Sequence, residues 1–500
     1  MGSDAQRLSD QFRYAIKPLF LLVAFCWLSI FWNLPVDFDD VNPGAAPASW
    51  PALFLPIVSS IVVNASVLDG IAFEILIVTW AIAIFPFLRR GPLAFLFGHV
   101  VALITLVLTV LCLTDLGLRM VLGRPFVLFQ DLGIYTHVMD LQNGSFKGPT
   151  GWFLMILQLL LAFAIYSLAL GAIRTIQQVT TERRHGAVVQ IVAGLLILGY
   201  VGGKLLPAGV VASSLDRMIH ARASTTVWSQ VERSLQLQTA LDRFKTTAEI
   251  DRFSDHPRHQ LLAELSDIDV LLVFVESYGR SVLDQDWFRR FSRPSLDAFE
   301  TKLATAGLVS ASSYLTSPIM GGQSWLAHGT LSSGLWLPHQ RYHDAFSAAD
   351  RLTLTRAFRE RGHRTVAIKP AITKPWPAGS HFGFERIYAA ADMGYGGRPY
   401  NWATMPDQYT MAAFERFERL YREDGRPVFA EFALISSHAP WTHIPPVVQD
   451  WDLIGDGRVF SAWADVGDSP YAVWTEPHRL RGQYGKSIRY VLDMLCSVGS

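Results

Sequence analysis

Apolar residues gather at the front of the chain in five runs, at 18–34, 68–88, 92–114, 151–172 and 187–207. Each approaches the roughly 20 residues that a helix needs to cross a hydrocarbon core. A further stretch, PALFLPIVSSIVVN at 51–64, is short and broken by proline. It reads as an interfacial or re-entrant piece leading into the second run, with a sixth span as the alternative. Residues 208–265 are polar and helix-prone with apolar positions interspersed, the pattern of a connector lying along a membrane surface. The sequence IDVLLVFVESYG at 268–279 then begins a different regime. It is apolar on both faces and ends in polar residues, which predicts a central, parallel strand.

Beyond that strand the pattern alternates. Helices are expected near 295–306, from about 324, and near 352–362, with strands near 307–314 and at 364–369 (RTVAIK). After a loop-rich insert at 370–404, MPDQYTMAAFERFERLYRE reads as an amphipathic helix and PVFAEFALISS at 427–437 as a buried strand. Strands separated by helices in this rhythm predict an α/β sandwich whose chemistry collects at the carboxyl ends of the strands. The domains expected are 1–207 (transmembrane), 208–265 (helical connector) and 266–500 (α/β).

Charge sharpens the division. Lysine plus arginine and aspartate plus glutamate number 43 each, only 17% of the chain, against about 25% in ordinary soluble proteins. No global basic field argues for nucleic acid. Residues 1–210 hold 12 basic and 11 acidic side chains and residues 211–500 hold 31 and 32, so the charge density roughly doubles where the apolar runs stop.

Eight of those first 12 basic residues (Arg7, Arg13, Lys17, Arg89, Arg90, Arg174, Arg183 and Arg184) fall on one side of a five-span arrangement. The positive-inside rule makes that side cytoplasmic and exports everything after about residue 208. The first run lacks a small-residue cleavage site and reads as an uncleaved anchor. Glu74, inside the second run, calls for an interhelical hydrogen bond. Of the three cysteines, Cys26 and Cys112 lie in spans and Cys496 in the exported part, so no disulfide framework is expected. No zinc-type cysteine pair, Walker loop or dinucleotide fingerprint occurs.

Three places carry candidate chemistry. Glu276 directly follows the strand LLVFV, as a metal ligand, a helix cap or a salt-bridge partner does. Ser324 follows a Gly-Gly turn at the start of the expected helix. A nucleophile facing an anionic phosphoryl centre suits that position, and so does an N-cap serine. His438, in ISSHAPW at 435–441, is placed to contact a phosphate oxygen or to protonate a leaving alkoxide, or to be a loop histidine satisfied by backbone.

The order strand-Glu-Ser, Gly-Gly-x-Ser-Trp at a helix start, and Ser-His-Ala-Pro-Trp after a late strand resembles the alkaline phosphatase superfamily. Within it the likeness is to the sulfatase-like membrane branch of lipoteichoic acid synthase and the phosphoglycerol transferases. The resemblance implies a transmembrane bundle followed by an extracytoplasmic α/β sandwich of the alkaline phosphatase/sulfatase type. It implies a phosphotransferase or hydrolase of lipid head groups in a bacterial inner membrane, its soluble domain in the periplasm or outside the cell. The partners implied are the bilayer and a membrane phospholipid or lipid-linked phosphate ester. One divalent metal is implied, Mn²⁺ or Mg²⁺ with Zn²⁺ or Ca²⁺ as alternatives, on Glu276 and Ser324. Ser324 is then the nucleophile, and His438 contacts substrate. Trp376, His381 and Asp407 match substrate-contact loops more loosely, and Lys369 at the end of RTVAIK is placed to pair with phosphate.

The sequence departs from that family in one respect. An Asp-His pair is expected on a strand after a helix resembling GQYGKSIRYVLDML (482–495), but the sequence given reaches Ser500 without it. The adjacent pair Asp255-His256 precedes the first strand. Two expectations follow: a sequence cut from a longer protein, or a degenerate site in a noncatalytic, membrane-anchored lipid sensor. A formylglycine sulfatase is disfavoured, since Ser324 is followed by Trp-Leu-Ala-His rather than x-Pro-x-Arg. The cysteine-poor domain also departs from the phosphoethanolamine transferases.

Overall fold

A computed structural model of the chain describes residues 21–25, 28–29, 71–122, 124–131, 149–205, 219–253, 256–257, 260–377, 379–420, 425–474 and 476–498. The described residues are mostly helical and divide into two compact units, one running to Gln236 and the other from Leu237. Most of the first expected span (18–34), the stretch 51–64 and residues 132–148 fall outside them.

In the first unit, β1 (Ile71–Ala72) leads into helix α1 (Phe73–Ile84), followed by α2 (Pro92–Leu122), α3 (Pro149–Thr181), α4 (Arg183–Leu205) and β2 (Ile219–His220), and helix α5 (Arg222–Glu249) runs from this unit into the second. The segments Pro92–Arg119, Met155–Thr181 and Arg183–Lys204 are long and apolar enough to cross a membrane. Their outward residues are large and apolar, among them Leu103, Phe163 and Leu198.

The second expected span is shorter than its pattern suggested. Helix α1 has 12 residues, about 18 Å at 1.5 Å per residue, against a hydrocarbon core of about 30 Å. Pro86 explains its end, because proline drives the preceding residue out of helical geometry and Phe85 is extended. Arg89 then donates to the Ile82 and Ala83 carbonyls at that end. Glu74 accepts hydrogen bonds from the backbone N–H and hydroxyl of Ser224, tying α1 to α5. That is the interhelical bond its position called for. On the opposite side of the bundle, Gln177 Nε2 donates to the carbonyls of Leu88 and Ala94.

The second unit is an α/β region around a wholly parallel four-stranded sheet of order β3-β6-β4-β5, comprising Val270–Val275 (β3), Arg364–Lys369 (β4), Arg386–Ala389 (β5) and Val428–Leu434 (β6). Every residue of β6 is buried, and β4 is buried from Thr365 to Lys369. Continuous apolar sequence suits strands covered on both faces. Helices α6 (Asp286–Thr305), α7 (Trp325–Ser333), α8 (Leu354–Glu360), α9 (Asp407–Phe414) and α10 (Pro477–Ser497) surround it. One core lies among Val366, Tyr409, Phe414, Phe432 and Met494, and another among Phe346, Phe358, Phe382 and Phe429.

Two elements differ from the sequence expectation. The strand expected near 307–314 does not form, and its residues are irregular and exposed, Val309 at 97%. Strand β3, expected to be central, is an edge of the described sheet, and residues 307–314 do not pair with its free side. Conversely, β5 lies within the insert read as loop. It is four residues, Arg-Ile-Tyr-Ala, too short for a periodic signal.

Candidate functional site

Parallel strands place their carboxyl ends on one side of the sheet. Glu276 is the first residue beyond β3, and its backbone N–H still donates to Leu434 of β6. Ser277, next in the chain, has φ 58°, a left-handed turn that carries the chain sharply off the strand end. From β6 the chain continues through Ile435, Ser436 and Ser437 to His438, and the Ser437 hydroxyl donates to the Glu276 carbonyl. The polar tips of the two strands are thereby locked together.

Ser324 comes to this edge from α7. Gln323, just before it, has φ 61°, again a conformation that side chains adopt at a cost. The Ser324 side chain makes no cap hydrogen bond to its own helix. Its hydroxyl donates to Glu276 Oε1 at 2.7 Å. Both residues are half-buried. Residues of non-glycine type at positive φ flank the site on each element: Ser277, Gln323 and Trp441. Such backbone strain concentrates where a structure over-determines a functional geometry.

His438 lies flat on Trp402, with ring centroids 3.8 Å apart and planes 16° apart. Its Nδ1 is 2.7 Å from the Ala439 carbonyl oxygen, which fixes the ring edge. Asp407, at the start of α9, is wholly buried. Its carboxylate accepts from the backbone N–H groups of Ile435 and Ser436 at 2.7–3.1 Å, so it pins the turn that carries His438. Burial pushes its pKa from the usual 3.8 up to about 7, against the lowering effect of those N–H groups, and the charge of Glu276 adds to the rise. Glu276, Ser324, Asp407 and the His438 turn are thus connected by hydrogen bonds or by charge.

The other expected residues are held elsewhere in the same unit. Lys369, at the end of β4, donates to Glu431 Oε1 at 2.5 Å and to His328 Nδ1 at 3.0 Å, in a buried cluster. Trp376 packs with Phe382 in the second core. His381 meets the Phe346 ring edge-on at 4.8 Å. Burial, with Arg356 and His343 nearby, lowers its pKa. No described contact brings Trp376 or His381 to Glu276 or Ser324.

Sequence reasoning missed His328, Phe274 and Glu431. His328 sits one helical turn after Ser324 and stacks on Phe274, centroids 3.8 Å apart and planes 13° apart. Burial and the neighbouring Lys369 push the His328 pKa well below 6.5. The ring is therefore neutral, and its 3.7 Å approach to Glu431 is not an ion pair. The signal was present in the spacing, since residues four apart share a helix face.

As metal donors, Glu276 and Ser324 offer a carboxylate and a hydroxyl oxygen. That set fits a hard divalent cation that keeps several waters, as Mg²⁺ does, better than Zn²⁺, which favours nitrogen and sulfur. Among the described residues no group of three His, Cys, Asp or Glu is spaced to hold a metal. No family model, curated protein or solved structure matches the chain.

Proposed function

We propose that the chain is a membrane-anchored phosphotransferase or hydrolase of lipid head groups, with Ser324 as nucleophile and its α/β unit outside the cytoplasm. The observation that carries this reading is the Ser324 hydroxyl turned from its helix onto Glu276 at 2.7 Å. It is supported by the order of motifs, which resembles the sulfatase-like branch of the alkaline phosphatase superfamily, and by three apolar helices of spanning length. A five-span bundle with the amino terminus inside, in a bacterial inner membrane, completes the proposal.

In this reading Glu276 orients the Ser324 hydroxyl and takes up its proton as Oγ attacks phosphorus. The P–O bond to the departing alkoxide breaks as the Oγ–P bond forms, the alkoxide leaves as the alcohol with the proton that Glu276 took up, and the head-group phosphate stays esterified to Ser324. His438, held by Trp402 and Ala439, addresses the substrate through Nε2. An acceptor alcohol or water then attacks phosphorus, giving its proton to Glu276, and the Oγ–P bond breaks as Glu276 returns that proton to the serine. Mn²⁺ or Mg²⁺, held by Glu276 and Ser324, would supply neutralisation of phosphate charge when bound. Asp407 acts on this site by holding the 435–438 turn.

A second reading, a noncatalytic lipid sensor, draws on the lack of a three-residue metal group among the described residues. Purified full-length protein with Mn²⁺ and a phosphatidylglycerol analogue separates the two. The enzyme releases diacylglycerol or a free alcohol, and Ser324→Ala abolishes release. Unchanged activity in that variant overturns the nucleophile, and tight phospholipid binding without release favours the sensor.

A further inference from the structure

The pairing of Ser324 with Glu276 has a second contact beneath it. On β3, Phe274 lies two residues before Glu276, and alternate strand residues share a face. On α7, His328 lies four residues after Ser324, again on the same face. Strand and helix therefore meet twice: Ser324 on Glu276 at 2.7 Å, and the His328 ring on the Phe274 ring at 3.8 Å. The contacts form two rungs between the same two elements.

The lower rung is held from the side. Lys369 Nζ donates to His328 Nδ1 at 3.0 Å and lies 5.7 Å from the Phe274 ring centroid. Glu431, from the middle of β6, fixes that ammonium at 2.5 Å. Lys369 and Glu431 are both buried. Buried ion pairs add little net stability compared with apolar residues of the same volume, and in some proteins they serve to specify one arrangement of the groups around them. Here the bond from Lys369 sets the His328 tautomer with its proton on Nε2 and stops the ring from rotating. Gly329, the next residue, has its Cα packed toward Leu337 and His343, where an added Cβ would collide. The helix is therefore also packed closely against the segment that follows it.

We infer that the Lys369–His328–Phe274 stack, braced by Glu431, is the positioning device that sets the approach of Ser324 to Glu276. It rests on the proposed role of Ser324, and it assigns to Lys369 a part other than phosphate contact. Replacing His328 by Ala removes both the stack and the Lys369 bond. Helix α7 is then free to shift, and a displacement of about 1 Å at a reacting group costs about 100-fold in rate. The loss falls on kcat and leaves KM unchanged, because no residue of the stack touches substrate.

The test uses the full-length protein in detergent and two independent readouts. Hydrogen exchange over 324–331 reports the seating of α7 whether or not the protein turns over. Phosphatidylglycerol turnover with Mn²⁺ reports the consequence. The expected result is faster exchange in His328→Ala, about 100-fold lower kcat, and recovery of most of both in His328→Phe, which restores a ring on Phe274. Exchange and kcat in His328→Ala equal to wild type would overturn the inference, as would equal losses in His328→Ala and His328→Phe. If the wild-type protein shows no turnover, the proposed function falls, and exchange alone decides the stack.

Discussion

Ser324, the residue before helix α7, gives its hydroxyl hydrogen to Glu276 at the end of strand β3, and its oxygen accepts no bond from the N–H groups of the helix that it begins. A serine at that place ordinarily satisfies the free N–H groups of its own first turn. Turning it onto a half-buried carboxylate leaves those groups to other partners and brings a nucleophile and an acidic oxygen together. The prediction is that Glu276→Gln lowers turnover by about 10²–10⁴-fold, the range for loss of a positioned acid-base group. The thermal midpoint should hardly move, because the amide still accepts the serine hydrogen bond. Steady-state kinetics and a melting curve on the same preparation check both halves.

Asp407 gives the stability a pH dependence of defined sign. Its carboxyl is raised to about 7 in the folded protein, so the folded state holds that proton more tightly than the unfolded chain, where the pKa is near 3.8. The resulting stability is complete below about pH 4 and is lost as pH rises towards 7. The slope for one proton is at most about 1.4 kcal/mol per pH unit. Asp407→Asn keeps an oxygen for the Ile435 and Ser436 N–H groups and removes the titration. Melting curves from pH 4 to 7 should show a flatter profile for the variant than for the wild type.

The packing of α10 against α6 can be tested away from the site. Gly485 lies where an added Cβ would run into the Phe291 ring, and Ser295 and Lys302 of α6 bond to Asp493 and Cys496 of α10. Gly485→Ala should cost about 1–3 kcal/mol, the usual penalty for overpacking. Denaturant titration of the α/β unit's fluorescence in the full-length protein measures it.

The proposed topology predicts labelling from outside. Val309 is almost wholly exposed, so Val309→Cys, in a background with Cys26, Cys112 and Cys496 replaced, should react with a membrane-impermeant maleimide in cells whose inner membrane is intact. Reaction only after that membrane is permeabilised would place the α/β unit in the cytoplasm.

Much of the architecture was legible because it follows from periodicity. The runs at 92–114, 151–172 and 187–207 fall on α2, α3 and α4, and the strands expected at 268–279, 364–369 and 427–437 contain β3, β4 and β6. Each is a long stretch whose burial is dictated by its own residues. What depends on a neighbour was not legible. Residues 307–314 have strand composition but form no strand, and β5 is too short to show alternation yet pairs with β4. The same holds at the site. Motif order brought Glu276 and Ser324 into view, whereas the stack of His328 on Phe274, held by Lys369 and Glu431, joins residues from β3, α7, β4 and β6 that no local pattern relates.

The central claim is that Ser324 carries the transferred group. The direct measurement is peptide mass spectrometry of the full-length protein quenched in acid during turnover of phosphatidylglycerol with Mn²⁺. The account predicts a phosphoglycerol adduct on the peptide containing Ser324, absent in Ser324→Ala. Turnover with no adduct on that peptide, or an adduct on another residue, would contradict it.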